Sequence, residues 1–330
     1  MRALILISLL FPLAAAPLAR AVTARVEPRL ATCLMTASAV LLAGTSCGAL
    51  GLLVLSELVR MPSLARLGHW SAAIVADGGL PGGWTSLGAG VLLGVALLAA
   101  GAFAVRRARA LGDARRHARD LPGRGELVVT GDDAADAYAV PGRPGRIVVS
   151  TGMLGVLDER GRTALLAHER AHLSGRHHWY TAAARLAAAA NPLVRPLANA
   201  VEYTVERWAD EAAAAAVGDR RLVARAIASA ALATKATRPR RDVFATLGAV
   251  LSGPAAAVRH RILRRRADPL AAAGPVPRRV AALLAPAPRP GLVAAAVSLA
   301  FLGLAALCAM SAADHLQDLV SLAHARADNR

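Results

Sequence analysis

The sequence predicts a mainly α-helical membrane protein that carries one small α+β domain, and three observations lead there. Of its 330 residues, 55% are hydrophobic and only 3% aromatic, with a mean hydropathy of +0.44. Soluble domains of this size rarely reach that balance. Four uncharged apolar runs approach the roughly 20 helical residues needed to cross a bilayer. Between the third and fourth runs lies a long polar stretch in which short β-branched runs precede helix-like ones.

The apolar runs cover about 3–19, 30–56, 86–105 and 290–313, and all are rich in the small residues that let helices pack closely in lipid. The first is the weakest, being short and interrupted by Pro12 and Pro17. Ala19-Arg20-Ala21 resembles a signal-peptide cleavage site, but the preceding basic region holds one arginine and another span follows soon after. A retained helix is therefore expected. Cys33, Cys47 and Cys308 all fall within apolar runs, where they read as small packing residues rather than a disulfide framework or metal cluster.

The net charge of +17 is almost all arginine, since Lys235 is the only lysine. Such a charge raises nucleic-acid binding, yet the arginines crowd beside an apolar run, at Arg106, Arg107, Arg109, Arg115, Arg116 and Arg119. A positive-inside bias explains that placement, so no direct nucleic-acid binding is expected. The stretches 106–119 and 238–266 read as anchors at the anionic cytosolic membrane surface. The same bias predicts a multi-pass cell-membrane protein with residues 106–289 in the cytosol and the tail outside. The expected division is 1–108 for three membrane helices, 109–235 for the soluble domain, 236–289 for a basic Pro/Arg-rich segment, 290–313 for the fourth helix and 314–330 for a tail.

Within the soluble region, 127–130, 137–140 and 146–149 read as short strands separated by Gly131-Asp132-Asp133 and by Pro141-Gly142-Arg143-Pro144-Gly145, with Gly152 closing the third. Helices are expected at 161–174, stopped by Gly175, at 199–216, stopped by Gly218, and at 219–235. One more is expected near 254–265, in an otherwise flexible 236–289.

The first of these helices carries His168-Glu169-Arg170-Ala171-His172. Residues four apart share a helix face, so both imidazoles can reach one metal ion, and Glu169 is placed to take a proton from a water there. Nine histidines and the glutamates of a chain this long would produce roughly 0.006 such matches by chance. A zinc site for catalysis needs a third protein ligand. The helix at 199–216 offers Glu202, Glu206 and Asp210 along one face, and spacing alone does not choose between Glu202 and Glu206. Tyr203 and Arg207 lie nearby in sequence as candidates to stabilise an oxyanion, and His177 and His178 are expected to cap the helix end or face solvent.

These stretches together, from Ala137-Tyr138-Ala139-Val140 through Ile147 to Leu154, His168 to His172 and Glu206-Arg207-Trp208-Ala209-Asp210, resemble the gluzincin core of BlaR/MecR-type and HtpX-type membrane metallopeptidases. The resemblance implies a zincin-like domain with one catalytic Zn2+, and it selects Glu206 over Glu202 as third ligand. It also implies Asp210 as hydrogen-bonding support for a ligand histidine, and Ala137, Tyr138 and Ala139 as a strand that pairs with a peptide. Two positions depart from the pattern: His177 stands where an aspartate is usual, and Asp136 where asparagine is usual. The implied function is a membrane-embedded zinc endopeptidase acting on a protein or peptide substrate, with a cognate transcriptional repressor as one such substrate. The alternatives are membrane-protein quality control of the HtpX type and a non-catalytic zinc-stabilised scaffold or receptor. A BlaR/MecR-type sensor domain is not expected, because about 17 residues follow the fourth span.

Overall fold

The structure is a computed structural model that describes residues 2–61, 63, 83–120, 125–237, 274–288 and 291–328. The expected helix near 254–265, the basic stretch 238–266 and most of the loop between the second and third spans lie outside the described residues. Elements are numbered here among the described residues.

Helices α1 (Arg2–Leu10) and α2 (Ala15–Arg25) are joined by a 3-10 turn, Phe11–Ala14. Pro12 causes that tightening, because it has no N–H to give to the α-helical ladder. Pro17 falls in the first turn of α2, where the missing donor costs nothing. Then come α3 (Pro28–Leu58), α4 (Trp84–Asp120) and, near the end, α11 (Leu292–Asp328). Among the described residues, four helical segments are long and apolar enough to cross a membrane: Ala3–Arg25, Pro28–Leu58, Trp84–Asp120 and Leu292–His315. The last helix continues through the expected tail to Asp328, since residues 314–328 contain no proline or glycine.

The chain divides into two compact units, neither continuous in sequence. One comprises Met1–Ala110, Trp179–Val205 and Pro288–Arg330. Its core joins Val22, Met35 and Leu42 to Ala184, Leu197 and Val201, which belong to α7 (His177–Ala190) and α8 (Arg195–Val217). Two polar contacts hold its helices together where an unpaired group would be costly. Thr32 Oγ1 donates to Thr204 Oγ1 at 2.9 Å, and Asn191 Nδ2 donates to Ser46 Oγ at 3.0 Å. The sequence reading assigned no helix to 177–190, and α8 starts four residues earlier than expected, with Pro196 in its first turn.

The second unit comprises Leu111–His178 and Glu206–Ala287. Its three-stranded sheet has the order β1 (Leu127–Thr130), β3 (Arg146–Ser150), β2 (Ala137–Val140), with β1 parallel and β2 antiparallel to β3. The central strand is buried on both faces. Ile147 and Val149 pack with Met153 and Leu157, while Val148 packs with Val128, Val140 and Ala118. Gly152 does not close β3 as expected. Ser150 instead caps a short helix, α5 (Thr151–Val156), by accepting from Met153 N, and Gly152 lies within it. Helix α6 (Glu159–Ser174) begins at Asp158, whose carboxylate accepts from Gly161 N, and stops at Gly175. Helix α9 is Arg220–Thr237.

The Pro/Arg-rich segment expected to be flexible outside 254–265 contains a further helix, α10 (Pro275–Leu284). Pro275 and Pro277 fall in its first turn, where proline starts helices rather than breaking them. Leu283 then anchors it in a core with Ala164, Ala213 and Val223.

Candidate metal centre

Helix α6 presents His168 and His172 on one face, with their Nε2 atoms 3.1 Å apart. Both face Glu206 on α8: His168 Nε2 lies 3.6 Å from Oε2, and His172 Nε2 lies 3.5 Å from Oε1. These three residues offer ligand atoms all within 4.8 Å of one another and can hold a metal ion. The imidazole pair is close to the roughly 3.3 Å separating tetrahedral ligands that lie about 2.0–2.1 Å from a zinc ion, and the two imidazoles approach different oxygens of the Glu206 carboxylate. The donor set of two imidazoles and a carboxylate fits Zn2+. Glu202, one turn earlier, instead receives Nε and Nη2 of Arg185 at 2.6 and 2.5 Å.

Each histidine is held from behind through its other nitrogen. Asp210, one turn after Glu206, places Oδ1 3.1 Å from His168 Nδ1. His172 Nδ1 lies 3.0 Å from Nδ1 of His177. His177 is therefore neither a helix cap nor solvent-exposed, as the sequence reading expected; it is 2% exposed and packs on Trp208, ring centroids 4.5 Å apart. The turn between α6 and α7 explains this. Arg176 adopts φ of 50°, and a Cβ on Gly175 would sit 2.4 Å from His177 Nε2. Glycine at 175 is what lets the imidazole fold back across the end of α6.

A second residue escaped the sequence reading altogether. Arg279, on α10, donates from Nε and Nη2 to both oxygens of Asp210 at 2.8 and 2.6 Å, and its Nη1 lies 2.8 Å from Glu206 Oε2. This bidentate fork plus a third contact ties the two acids of α8 together. Arg207, by contrast, pairs with Glu211 at 3.5 Å.

The electrostatics follow from this crowding. Burial opposes charge on His168, but the neighbouring carboxylates of Asp210 and Glu206 outweigh that and raise its pKa to about 9. Burial also opposes charge on Glu206, yet the His168 hydrogen bond and the Arg279 charge hold it down at about 2. Asp210 is lowered against its own burial by Arg279 and His168. Burial, with the charge of His168, lowers His172 to about 4, and burial beside His172 lowers His177 to about 3. With no metal bound, the two acids thus draw positive charge into the position that a cation would take.

Glu169 is 8% exposed, and burial raises its pKa. It accepts a hydrogen bond from the backbone of Ala139, so β2 runs directly beside the cluster. Among the described residues β2 pairs only with β3 and forms one edge of the sheet. Tyr138 is partly exposed on that strand, while Ala137 lines a cavity of about 180 Å³. Its charged and imidazole lining is His168, Glu169, Glu206 and Arg279; apart from Thr234 the remainder is apolar, including Leu165, Val223 and Ile227.

Residues 106–189 match the family described as Peptidase family M48. The matched stretch includes the sheet and the His168–His172 motif, and it ends before Glu206. No curated protein and no solved structure matches the chain significantly. The family match, the four apolar helices and the His168, His172 and Glu206 cluster together support a membrane-associated metallopeptidase.

Proposed function

We propose that the protein is a membrane-embedded zinc endopeptidase whose metal ligands are His168, His172 and Glu206. The observation that carries this reading is the meeting of those three donors, with ligand atoms within 4.8 Å of one another, beside a buried glutamate. Bound Zn2+ would supply Lewis acidity, lowering the pKa of water and polarising the scissile carbonyl.

The protein's own residues do the rest. Asp210 and His177 hold the two imidazoles in orientation through Nδ1, which leaves each Nε2 toward Glu206. Glu169, whose burial favours taking up a proton, accepts one from the attacking water and gives it to the leaving amine as the C–N bond breaks. The acyl carbon keeps the water oxygen, so the products are a carboxylic acid and an amine. Ala137, Tyr138 and Ala139 on the edge strand β2 align an extended peptide by backbone hydrogen bonds. Arginine placement supports a cytosolic site between the third and fourth spans.

In this reading the substrate is a protein, and a transcriptional repressor is one form it takes in a signalling pathway; quality control of damaged membrane proteins is the alternative. Comparing membrane and cytosolic proteomes of cells carrying the parent or Glu169→Gln chain tests both. One soluble DNA-binding protein accumulating in the variant supports the repressor form, and many membrane proteins accumulating supports quality control. Identical proteomes count against a peptidase and favour a zinc-stabilised scaffold.

A further inference from the structure

Away from the metal cluster, four arginines converge on a surface cleft of about 260 Å³. Arg115 and Arg119 come from the last turns of α4, Arg143 from the β2–β3 turn and Arg146 from the start of β3. The remaining lining is Ala118, Val140, Pro141, Gly142 and Pro144, so among the described residues no carboxylate lines the cleft. Arg115 and Arg119 are four apart on one helix face, where like charges repel.

Fold stability accounts for part of this arrangement. Arg115 Nε donates to Pro141 O at 2.7 Å, and Arg146 donates to Ala118 O near the C-terminal end of α4. These bonds bring helix and turn together. They do not require Arg119 or Arg143, which are exposed and take no carboxylate partner among the described residues; the nearby Asp113 pairs with Arg116 instead. Guanidinium groups that line one cleft, with no acid in its lining among the described residues, are suited to a doubly charged group with several acceptor oxygens.

We propose that this cleft binds a phosphate monoester, carried on a lipid headgroup or on a soluble ligand. The lipid source is within reach of the chain's design, because α4 begins as the third apolar span and continues past Arg106 into the cleft. A phosphomonoester carries close to two negative charges at neutral pH and three acceptor oxygens, enough to engage several arginines at once.

The test uses the full-length protein in neutral detergent, titrated with dihexanoyl phosphatidic acid, with dihexanoyl phosphatidylglycerol as a diester control and inorganic phosphate as competitor. Phosphatidic acid should bind saturably and more tightly than the diester. Arg119→Gln with Arg143→Gln should weaken it by about tenfold or more, as expected when charge-assisted hydrogen bonds are removed. Arg106→Gln with Arg107→Gln, outside the cleft, should change it less than about twofold, where only diffuse charge is altered. Arg119→Lys with Arg143→Lys, which keeps charge without the fork, should fall between; thermal unfolding checks that every variant is folded, and should the Gln pair unfold, the Lys pair decides. Competition by inorganic phosphate at comparable concentration identifies a soluble source, and lack of competition a lipid one. Unchanged binding in the cleft variants, equal weakening in the 106/107 pair, or binding of an acidic peptide but of neither phosphate probe would overturn the proposal.

Discussion

Arg279→Met is the perturbation whose size follows most directly from the structure. The side chain is 11% exposed and makes three short charged contacts, two to an Asp210 side chain that is itself 2% exposed and one to Glu206, which is 38% exposed. Removing one partner of a buried pair costs about 3–5 kcal/mol, because the other charge stays buried. Here Asp210 keeps His168 as a partner and Glu206 keeps some water, so the lower end, about 3 kcal/mol, applies to the metal-free protein. At about 2–4 °C per kcal/mol for a unit of 150–250 residues, the melting temperature should drop by roughly 6–12 °C. Zn2+ at His168, His172 and Glu206 would restore positive charge beside both acids, so with zinc the drop should be roughly half as large. The assay is thermal unfolding of full-length protein in detergent, followed by circular dichroism, with EDTA or with stoichiometric Zn2+. A drop below about 2 °C in EDTA, or equal drops in both conditions, would refute the reasoning.

Four further outcomes follow from the same geometry. Glu206→Ala should abolish tight zinc binding measured by chelator competition, while Glu202→Ala, which only frees Arg185, should bind zinc like the parent; the reverse result removes Glu206 as a ligand. His177→Ala should weaken zinc binding by roughly 10–100-fold, the usual effect of losing a residue that orients a ligand histidine, and an unchanged affinity would show His172 to be held by other means. Zinc affinity should also depend on pH, because the metal must displace the proton that His168 holds up to a pKa of about 9, whereas His172, at about 4, is already neutral. Affinity should rise about tenfold per pH unit from pH 6.5 toward 9. Without metal the stability trend is opposite. The raised His168 contributes fully below its ordinary 6.5 and is lost as pH rises through about 9, while the lowered Glu206 contributes above its ordinary 4.5 and is lost as pH falls toward about 2. The lowered His172 and His177 add a cost that grows as pH falls below 6.5 toward about 4 and 3, so in EDTA stability should peak near pH 6.5, and a flat profile from pH 4.5 to 9 contradicts the coupling.

The sequence was most legible where structure is local. Apolar length marked the membrane helices, and β-branched runs with Gly/Pro turns marked all three strands. Two histidines at helical spacing meet because one helix holds both. Glu206 was harder, because i, i+4 spacing places Glu202 on nearly the same face; only the family pattern separated them, and Arg185 turns out to occupy Glu202. Residues placed by chain reversal were not legible. His177 reaches His172 through a turn that needs Gly175 and a left-handed Arg176, and no periodicity encodes that direction. Arg279 lies far along the chain in a Pro/Arg-rich stretch that reads as linker. Yet Pro275 and Pro277 ahead of Val280, Leu283 and Leu284 are a helix start that could have been read.

The central claim is that one zinc ion at His168, His172 and Glu206, with Glu169 as the base, hydrolyses peptide bonds. The most direct measurement compares purified full-length parent and Glu169→Gln protein for zinc content and for cleavage of an unfolded protein substrate in detergent. The account predicts one zinc per chain in both, and cleavage in the parent reduced by about 10²-fold or more in the variant, the scale of losing a general base. Equal cleavage by both proteins, or a parent that cleaves at full rate after its zinc has been removed, would contradict it.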